Sequence, residues 1–306
     1  MISFFYQIQL FFDKHSNGIL KKITYRVIQQ IIRLIAPTYY RIVNPSRIGI
    51  EINSKRKEKV IISLTSFPER MNQISLVLES LLRQTVKPDK IILWLSTSQF
   101  PTIKDVNIIV RNFQKRGLDI RFCDDLRSHK KYFYTMQEFP EDLVITVDDD
   151  IFYTERMVEE LLKKHREHPG CIVCYRAHKI SVTDGKIDKY EKWSTGSKNI
   201  LGPDKLLMPT GSGGVLYPPG VLNKQVFEKE TIKKICFFAD DIWLKCMSFL
   251  NGTYVVKVHK MFPELFTVKN SNKTGLAKFN VEQAMNDEQI INVIQHYNIL
   301  FMSKNL

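Results

Sequence analysis

Several common signatures are missing from this chain of 306 residues. No G-x-G-x-x-G follows the first apolar strand-like run, and no G-x-x-x-x-G-K-[ST] occurs. A dinucleotide-binding Rossmann domain and a P-loop NTPase therefore lose their main warrant. No apolar run reaches the ~20 residues that a membrane span needs. The most apolar stretch, Ile2 to Phe12, is short and interrupted by Gln7 and Gln9. It also lacks the basic start and small-residue cleavage site of a signal peptide. Cysteine is sparse: Cys171 and Cys174 form a C-x-x-C, but no second ligand pair at similar spacing accompanies it. A structural zinc site would want such a pair, so reduced core cysteines in a cytosolic protein are the expectation. Acidic residues are few against basic ones, giving a net charge of +13. Such a balance suits polyanionic partners: nucleic acid, an anionic membrane surface or a phosphorylated substrate.

The basic excess is concentrated at the start. Through Lys59 there are eleven Lys and Arg against three Asp and Glu. From Ile19 to Ile35 the apolar residues Leu20, Ile23, Val27, Ile31 and Leu34 recur at helical spacing, beside Lys21, Lys22, Arg26 and Arg33. Pro37 is expected to end that helix. Residues 1–58 are therefore read as a basic amphipathic arm and 59–306 as the globular domain. A basic amphipathic helix after an aromatic start suits an anionic membrane surface. A helix packed on the main domain, with its basic side solvated, is the other reading.

From Val60 onward, strand-like and helix-like runs alternate. Val60 to Leu64, Lys90 to Leu95, Asp119 to Cys123 and Leu143 to Val147 read as strands. The Ile74–Leu82 pattern and Lys131 to Phe139 read as helices between them. This alternation predicts an α/β fold with a mostly parallel sheet. In such sheets ligands bind beyond the carboxyl ends of the strands. The residues expected there are Thr65 and Ser66, then Ser96, then Asp124 and Asp125, then Asp148, Asp149 and Asp150.

The last of these strand ends carries the strongest chemical signal. Three adjacent carboxylates repel one another and are costly to desolvate. A hard divalent cation, Mg²⁺ or Mn²⁺, would offset that cost and keep positions open for substrate phosphates. A solvated acidic turn is the competing explanation. Further on, Gly211, Gly213 and Gly214 lie within four residues, which lets backbone approach a ligand closely, or makes a tight turn. Asp240 and Asp241 sit at an expected helix start. There they either complement the helix dipole or serve as a general base. Trp193 fits packing better than a sugar platform.

Taken in order, these pieces have a known counterpart. They are Ser63 to Arg70, Lys87 to Ile91, Lys130-Lys131, Thr146 to Asp150, Thr210 to Pro219 and Ala239 to Trp243. The chain from about Val60 to Asn286 resembles GT-A-fold glycosyltransferases of bacterial polysaccharide and lipopolysaccharide loci, broadly the family 2-like group. The resemblance implies a Rossmann-like GT-A fold and transfer from a nucleotide-diphosphate sugar, a UDP-sugar favoured, to a glycan or lipid-linked saccharide. It implies Mn²⁺ or Mg²⁺ held by Asp150 and Asp148, with His259 as a further metal ligand. It assigns donor contacts to Thr65, Ser66, Arg70, Ser96, Asp125, Lys130, Lys131, Asp148 and Asp149, with Gly213 and Gly214 beside the donor sugar. The base of an inverting displacement falls on Asp241 or Asp240, because Asp240 stands where that group usually has Glu. A Q-x-x-R-W motif, frequent in the group, is absent. A single-addition enzyme at the cytoplasmic face of the cell membrane is the implied setting, and no nucleic-acid partner is expected.

Two rival functions fit parts of the pattern. A haloacid dehalogenase-like phosphoryl-transfer enzyme also places D-x-D after an apolar strand. Counting on from Asp148, however, puts Phe152 where Thr or Val belongs. A non-catalytic basic membrane- or polyanion-binding protein would explain the charge, but no nucleic-acid motif surrounds the aromatic and basic residues near Lys130-Lys131.

Overall fold

An apolar, β-branched run without charge is stable in water only when both its faces are covered. Val60–Thr65 (β1) meets that condition, and its first five residues are buried. In the computed structural model, which describes residues 1–16, 18–268 and 285–301, β1 is a central strand of a seven-stranded sheet. The other strands in chain order are β2 (Lys90–Ser96), β3 (Leu118–Cys123), β4 (Leu143–Thr146), β5 (Ile172–Cys174), β6 (Ala177–Lys179), β7 (Val182–Thr183), β8 (Lys186–Ile187), β9 (Leu207–Pro209), β10 (Val215–Tyr217) and β11 (Val255–Lys257). The large sheet runs β11-β5-β10-β4-β1-β2-β3, while β6-β9 and β7-β8 form two small ones.

The β3-β2-β1-β4 half is parallel throughout. β10 runs antiparallel to both β4 and β5, and β11 is parallel to β5. The helices are α1 (Ile2–His15), α2 (Gly18–Ile42), α3 (Ile74–Leu81), α4 (Ile108–Asn112), α5 (Lys130–Glu138), α6 (Met157–Glu167), α7 (Lys229–Ile235), α8 (Asp240–Leu250) and a last one, Met285–Tyr297. The architecture is the expected α/β one, a mixed, mostly parallel GT-A sheet with helices packed against it and two N-terminal helices.

The period of two along β1 sorts its side chains. Val60, Ile62 and Leu64 join one apolar cluster with α3 and α6, and Ile61 joins another with Ile92 and Trp94. Ser63 faces α5, where its hydroxyl meets that of Thr135 at 2.7 Å. A polar group is tolerated there because it is paired. A further cluster packs α8 through Trp243 and Met247 under β9 and β10. Trp193 is buried, and its indole N–H donates to the Asp188 carbonyl at 2.9 Å, so it packs rather than presents a face. All five cysteines are free thiols.

α1 and α2 form a hairpin whose inner side, through Ile2, Tyr6, Ile28, Ile32, Ala36 and Tyr40, enters the same cluster as β1. The Tyr6 hydroxyl donates to the Phe152 carbonyl at 3.1 Å and accepts from the Phe266 N–H at 3.0 Å. Arg33 and Gln29 donate to Thr267, whose neighbour Val268 donates its N–H to the Asp150 carbonyl at 2.8 Å. The inner side of the hairpin is thus tied to the chain beside the acidic turn. Pro37 does not end α2, which continues to Ile42. The reason is tertiary. Ala36 and Tyr40 extend the buried stripe of Ile28 and Ile32, and Arg83 donates to the Tyr40 carbonyl at 3.0 Å. That burial holds the final turn despite the hydrogen bond a proline cannot make. Among the described residues no helix is long and apolar enough to cross a membrane.

Candidate active site

Parallel strands bring their carboxyl ends to one edge of the sheet. β1 and β4 are adjacent with Ser63 opposite Thr146, and the Val147 N–H donates to the Ser63 carbonyl, extending the ladder. The loop after β1 therefore emerges beside Asp148, Asp149 and Asp150. The three carboxylates face three different environments. Asp149 is buried, with Ser66 Oγ donating to Oδ2 at 2.5 Å and Arg70 Nη1 donating to Oδ1. Both its oxygens are engaged by the β1 loop. Asp150 Oδ2 lies 3.1 Å from Arg70 Nη1. Burial, and then the neighbouring Asp148 and Asp149 charges, push its carboxyl up to about 7 against the pull of Arg70. Asp148 accepts from Lys131 Nζ at 2.6 Å and donates its backbone N–H to the Tyr153 hydroxyl at 2.7 Å.

Lys130 and Lys131 open α5, where the helix dipole opposes a cation. Both are buried, so each requires a counter-charge. Lys130 pairs with Asp125 at 2.7 Å. Lys131 bridges Asp148 and Asp240, 2.9 Å from the latter. In these pairs the lysines and Asp240 are buried, while Asp125 and Asp148 are partly exposed. Burial alone would lower the Lys131 ammonium; Asp148, Asp240 and Asp241 together hold it well above the usual lysine range.

The first turn of α8 supplies Asp240 and Asp241. Desolvation works against the Asp240 charge, but Lys131 and His129 outweigh it and hold the carboxyl below its ordinary value. For Asp241, burial and the adjacent Asp240 charge push the carboxyl up to about 7. The Gly211 N–H donates to both Asp241 oxygens, at 3.0 and 3.1 Å.

Among the three clustered glycines, Gly211 is the one whose missing side chain leaves room for the charged groups of the site. A Cβ there would stand 2.7 Å from Lys131 Nζ, 3.1 Å from Asp241 Oδ1 and 3.4 Å from Asp148 Oδ1. Gly213 and Gly214 serve packing instead. A Cβ on Gly213 would meet Arg176 at 3.1 Å, and Gly214 has φ +84° with Met157 Sδ 2.9 Å from its Cβ position.

Thr65, Ser66, Arg70, Asp125, Lys130, Lys131, Asp148, Asp149, Asp150, Asp240 and Asp241 all line one cavity of about 470 Å³. Ser96, Gly213, Gly214 and His259 are not on its wall. Ser96 is buried at the end of β2, its hydroxyl 2.7 Å from that of Ser98. His259 is hydrogen-bonded through Nε2 to Glu160 at 3.1 Å and stacks on Phe262. The wall also contains Arg127, Tyr190, Phe238 and Asn286, which the sequence reading did not single out. Arg127 follows the Asp124-Asp125 strand end, and its guanidinium lies 5.7 Å from the Phe237 and Phe238 rings. That strand-end position was the available signal for Arg127. Asn286 and Tyr190 come from distant segments and had none.

Seven carboxylates and four Lys or Arg side chains line the cavity. An anionic ligand such as a diphosphate would be repelled by that surplus unless a cation came with it. Among the described residues no group of three or more His, Cys, Asp or Glu is arranged to hold a metal. Asp148 and Asp150 nevertheless supply hard oxygen donors on the wall, whereas Asp149 is already engaged. Mg²⁺ is commonly held by one or two carboxylates together with substrate phosphates rather than by an all-protein cage. The donor set fits an ion of that kind, with a shell completed by the ligand.

No protein-family model matches this chain, and no curated protein does either. Solved structures that align with this chain include the mannosyltransferase PcManGT from Pyrobaculum calidifontis, in complex with GDP-Man and Mn²⁺. It is 12% identical over 89% of this chain and 75% of its own, with a TM-score of 0.47. Residues 1–349 of S. aureus TarS align at 12% identity over 81% of this chain and 73% of that one, with a TM-score of 0.43. The same protein in complex with UDP aligns at 13% identity over 79% and 72%, with a TM-score of 0.42.

Proposed function

We propose that the chain is a metal-dependent glycosyltransferase. It moves a sugar from a nucleoside-diphosphate donor, a UDP-sugar by the sequence resemblance, to a hydroxyl of a glycan or lipid-linked saccharide. The observation that supports this reading is the meeting of the β4 acidic turn, Lys131 and the Asp240-Asp241 pair in one carboxylate-rich cavity at the sheet's carboxyl edge.

In this reading Asp150 and Asp148 would hold Mn²⁺ or Mg²⁺, which would supply Lewis-acid stabilisation of the charge on a departing diphosphate. Ser66 and Arg70 fix Asp149 and thereby set the height of the whole turn. Arg70 reaches Asp150 and holds its carboxylate in place. Lys131 bridges Asp148 and Asp240 and holds the two carboxylates side by side at a separation their mutual repulsion would otherwise oppose. Asp241 is the proposed base. Its carboxyl, pushed up to about 7, is matched to removing a proton from a hydroxyl near neutral pH. The acceptor oxygen forms a bond to the sugar C1 as the C1–O bond to the diphosphate breaks, and the acceptor proton passes to Asp241. Asp240, held ionised by Lys131, is a positioning residue. The two helix-start aspartates thus divide the roles that the sequence left open between them.

The test is a panel of nucleotide sugars incubated with the protein and Mn²⁺, with and without EDTA, read as released nucleoside diphosphate. Hydrolysis or binding of one donor that EDTA abolishes is the expected result. No turnover and no binding of any donor would overturn the reading.

A further inference from the structure

The two N-terminal helices present apolar side chains on both sides, and only one side is covered. Ile28, Ile32, Ala36 and Tyr40 face the core. On the opposite side of α2, Ile19, Ile23, Val27 and Leu34 fall within one arc of the helix and project outward, with Ile19 73% and Leu34 79% exposed. On α1, Phe4 and Phe11 lie two turns apart and are 60% and 59% exposed. Large apolar side chains grouped on one surface, rather than scattered, mark an interaction site.

The charge around this surface identifies the partner. Residues 2–42 hold six Lys and Arg and one acid, Asp13. Lys14, Lys22 and Arg26 are exposed, and none pairs with a carboxylate among the described residues. A second copy of this chain would bring the same positive charges face to face, so self-association through this surface is disfavoured. Apolar side chains bordered by lysine and arginine with almost no acid match the boundary between lipid headgroups and acyl chains. α2 has 25 residues, about 37 Å at 1.5 Å per residue. It carries Lys21, Lys22, Arg26, Arg33 and Arg41 along its length and is not apolar enough to cross a bilayer. It therefore suits an orientation parallel to the surface.

We infer that the outer face of the α1–α2 hairpin is a docking surface for anionic lipid bilayers. Phe4, Phe11, Ile19, Ile23, Val27 and Leu34 enter the acyl boundary, and Lys14, Lys22 and Arg26 contact headgroup phosphates. The structure turns the sequence's amphipathic helix into two separate faces: one belongs to the core and the other to the membrane. This inference stands on the hairpin and not on the catalytic reading.

Flotation of the full chain with phosphatidylglycerol-containing vesicles and with pure phosphatidylcholine vesicles tests it. Binding to the anionic vesicles is expected to be at least tenfold tighter and to weaken with salt. The triple substitution Ile19→Ser, Ile23→Ser, Val27→Ser should lower binding at least tenfold with an unchanged melting temperature, since all three side chains are exposed. The pair Lys22→Glu, Arg26→Glu should remove the preference for the anionic lipid. Equal binding to both vesicle types, or unchanged binding by both variants, would overturn the inference. So would a dimer in solution that the triple substitution converts to monomer, because a second copy would then cover the face. Donor hydrolysis without vesicles should be the same in wild type and variants. A failure of docking is thereby read separately from a failure of the catalytic reading.

Discussion

Replacing Lys131 with methionine keeps the length of the side chain and removes its charge. In the wild type the ammonium lies 2.6 Å from Asp148 and 2.9 Å from Asp240. The Asp148 side chain is 31% exposed and can turn to water, whereas that of Asp240 is 11% exposed and cannot. The substitution therefore strands Asp240. Breaking a buried pair by removing one partner costs about 3–5 kcal/mol. That cost depends on pH, and the sign follows from the direction of the shift. In the wild type the Asp240 carboxyl is held below its ordinary value. Its contribution is present above the unfolded pKa and is lost only as the pH falls through the lowered folded one. Without Lys131, burial raises the carboxyl instead, so the penalty grows with rising pH. At pH 5 a stranded carboxylate escapes by taking a proton, and with an unfolded pKa near 3.9 it costs no more than about 1.5 kcal/mol. Urea denaturation at pH 5 and pH 8 in EDTA measures both limits. The expected loss is about 3–5 kcal/mol at pH 8 and clearly less at pH 5. Equal losses at the two pH values, or a loss under ~1 kcal/mol at pH 8, would refute the assignment of Lys131 as the counter-charge of Asp240.

Other substitutions separate the roles within the cavity. Asp150→Asn should lose Mn²⁺-dependent donor binding by calorimetric titration, and normal binding would move the metal contact elsewhere. Asp241→Asn should bind donor normally and lose transfer. In the wild type, transfer should rise with pH through about 7 as the Asp241 carboxyl ionises, and a flat profile across that range would remove it as base. Gly211→Ala pushes on the Lys131 ammonium and the Asp241 carboxylate. It should cost about 1–3 kcal/mol of stability and lower transfer more than tenfold by displacing those groups; transfer at the wild-type rate would show that close approach at Gly211 is not needed.

Part of this site was legible in the sequence because parallel β structure is locally encoded. Apolar runs that stop on polar residues, separated by helical periods, place Thr65, Ser66, Asp125 and Asp148 to Asp150 at one edge before any contact is known. The first turn of α8 was legible in the same way, since acids at a helix start have a local cause. What was not legible depends on which segment lies opposite. Gly211, Gly213 and Gly214 look alike in sequence; only the approach of Lys131 and Asp241 distinguishes the first of them. Ser96 ends a strand as Ser66 follows one, yet its hydroxyl pairs with that of Ser98 and it is not on the cavity wall. Asn286 enters the cavity wall from a helix far along the chain, where no local pattern marks it.

The sequence by itself determined the alternation of strands and helices from β1 to β4 and the three carboxylates at the end of β4, because these follow from short-range periodicity and side-chain chemistry. Tertiary structure alone decided how those carboxylates differ: Asp149 is engaged by Ser66 and Arg70, Asp148 is shared with Lys131, and Asp150 remains beside Arg70 with its carboxyl pushed up. It also decided that α2 runs through Pro37 and that its apolar residues divide between core and solvent. Charge state and exposure are set by neighbours brought from distant parts of the chain, and those neighbours exist only once the chain has folded.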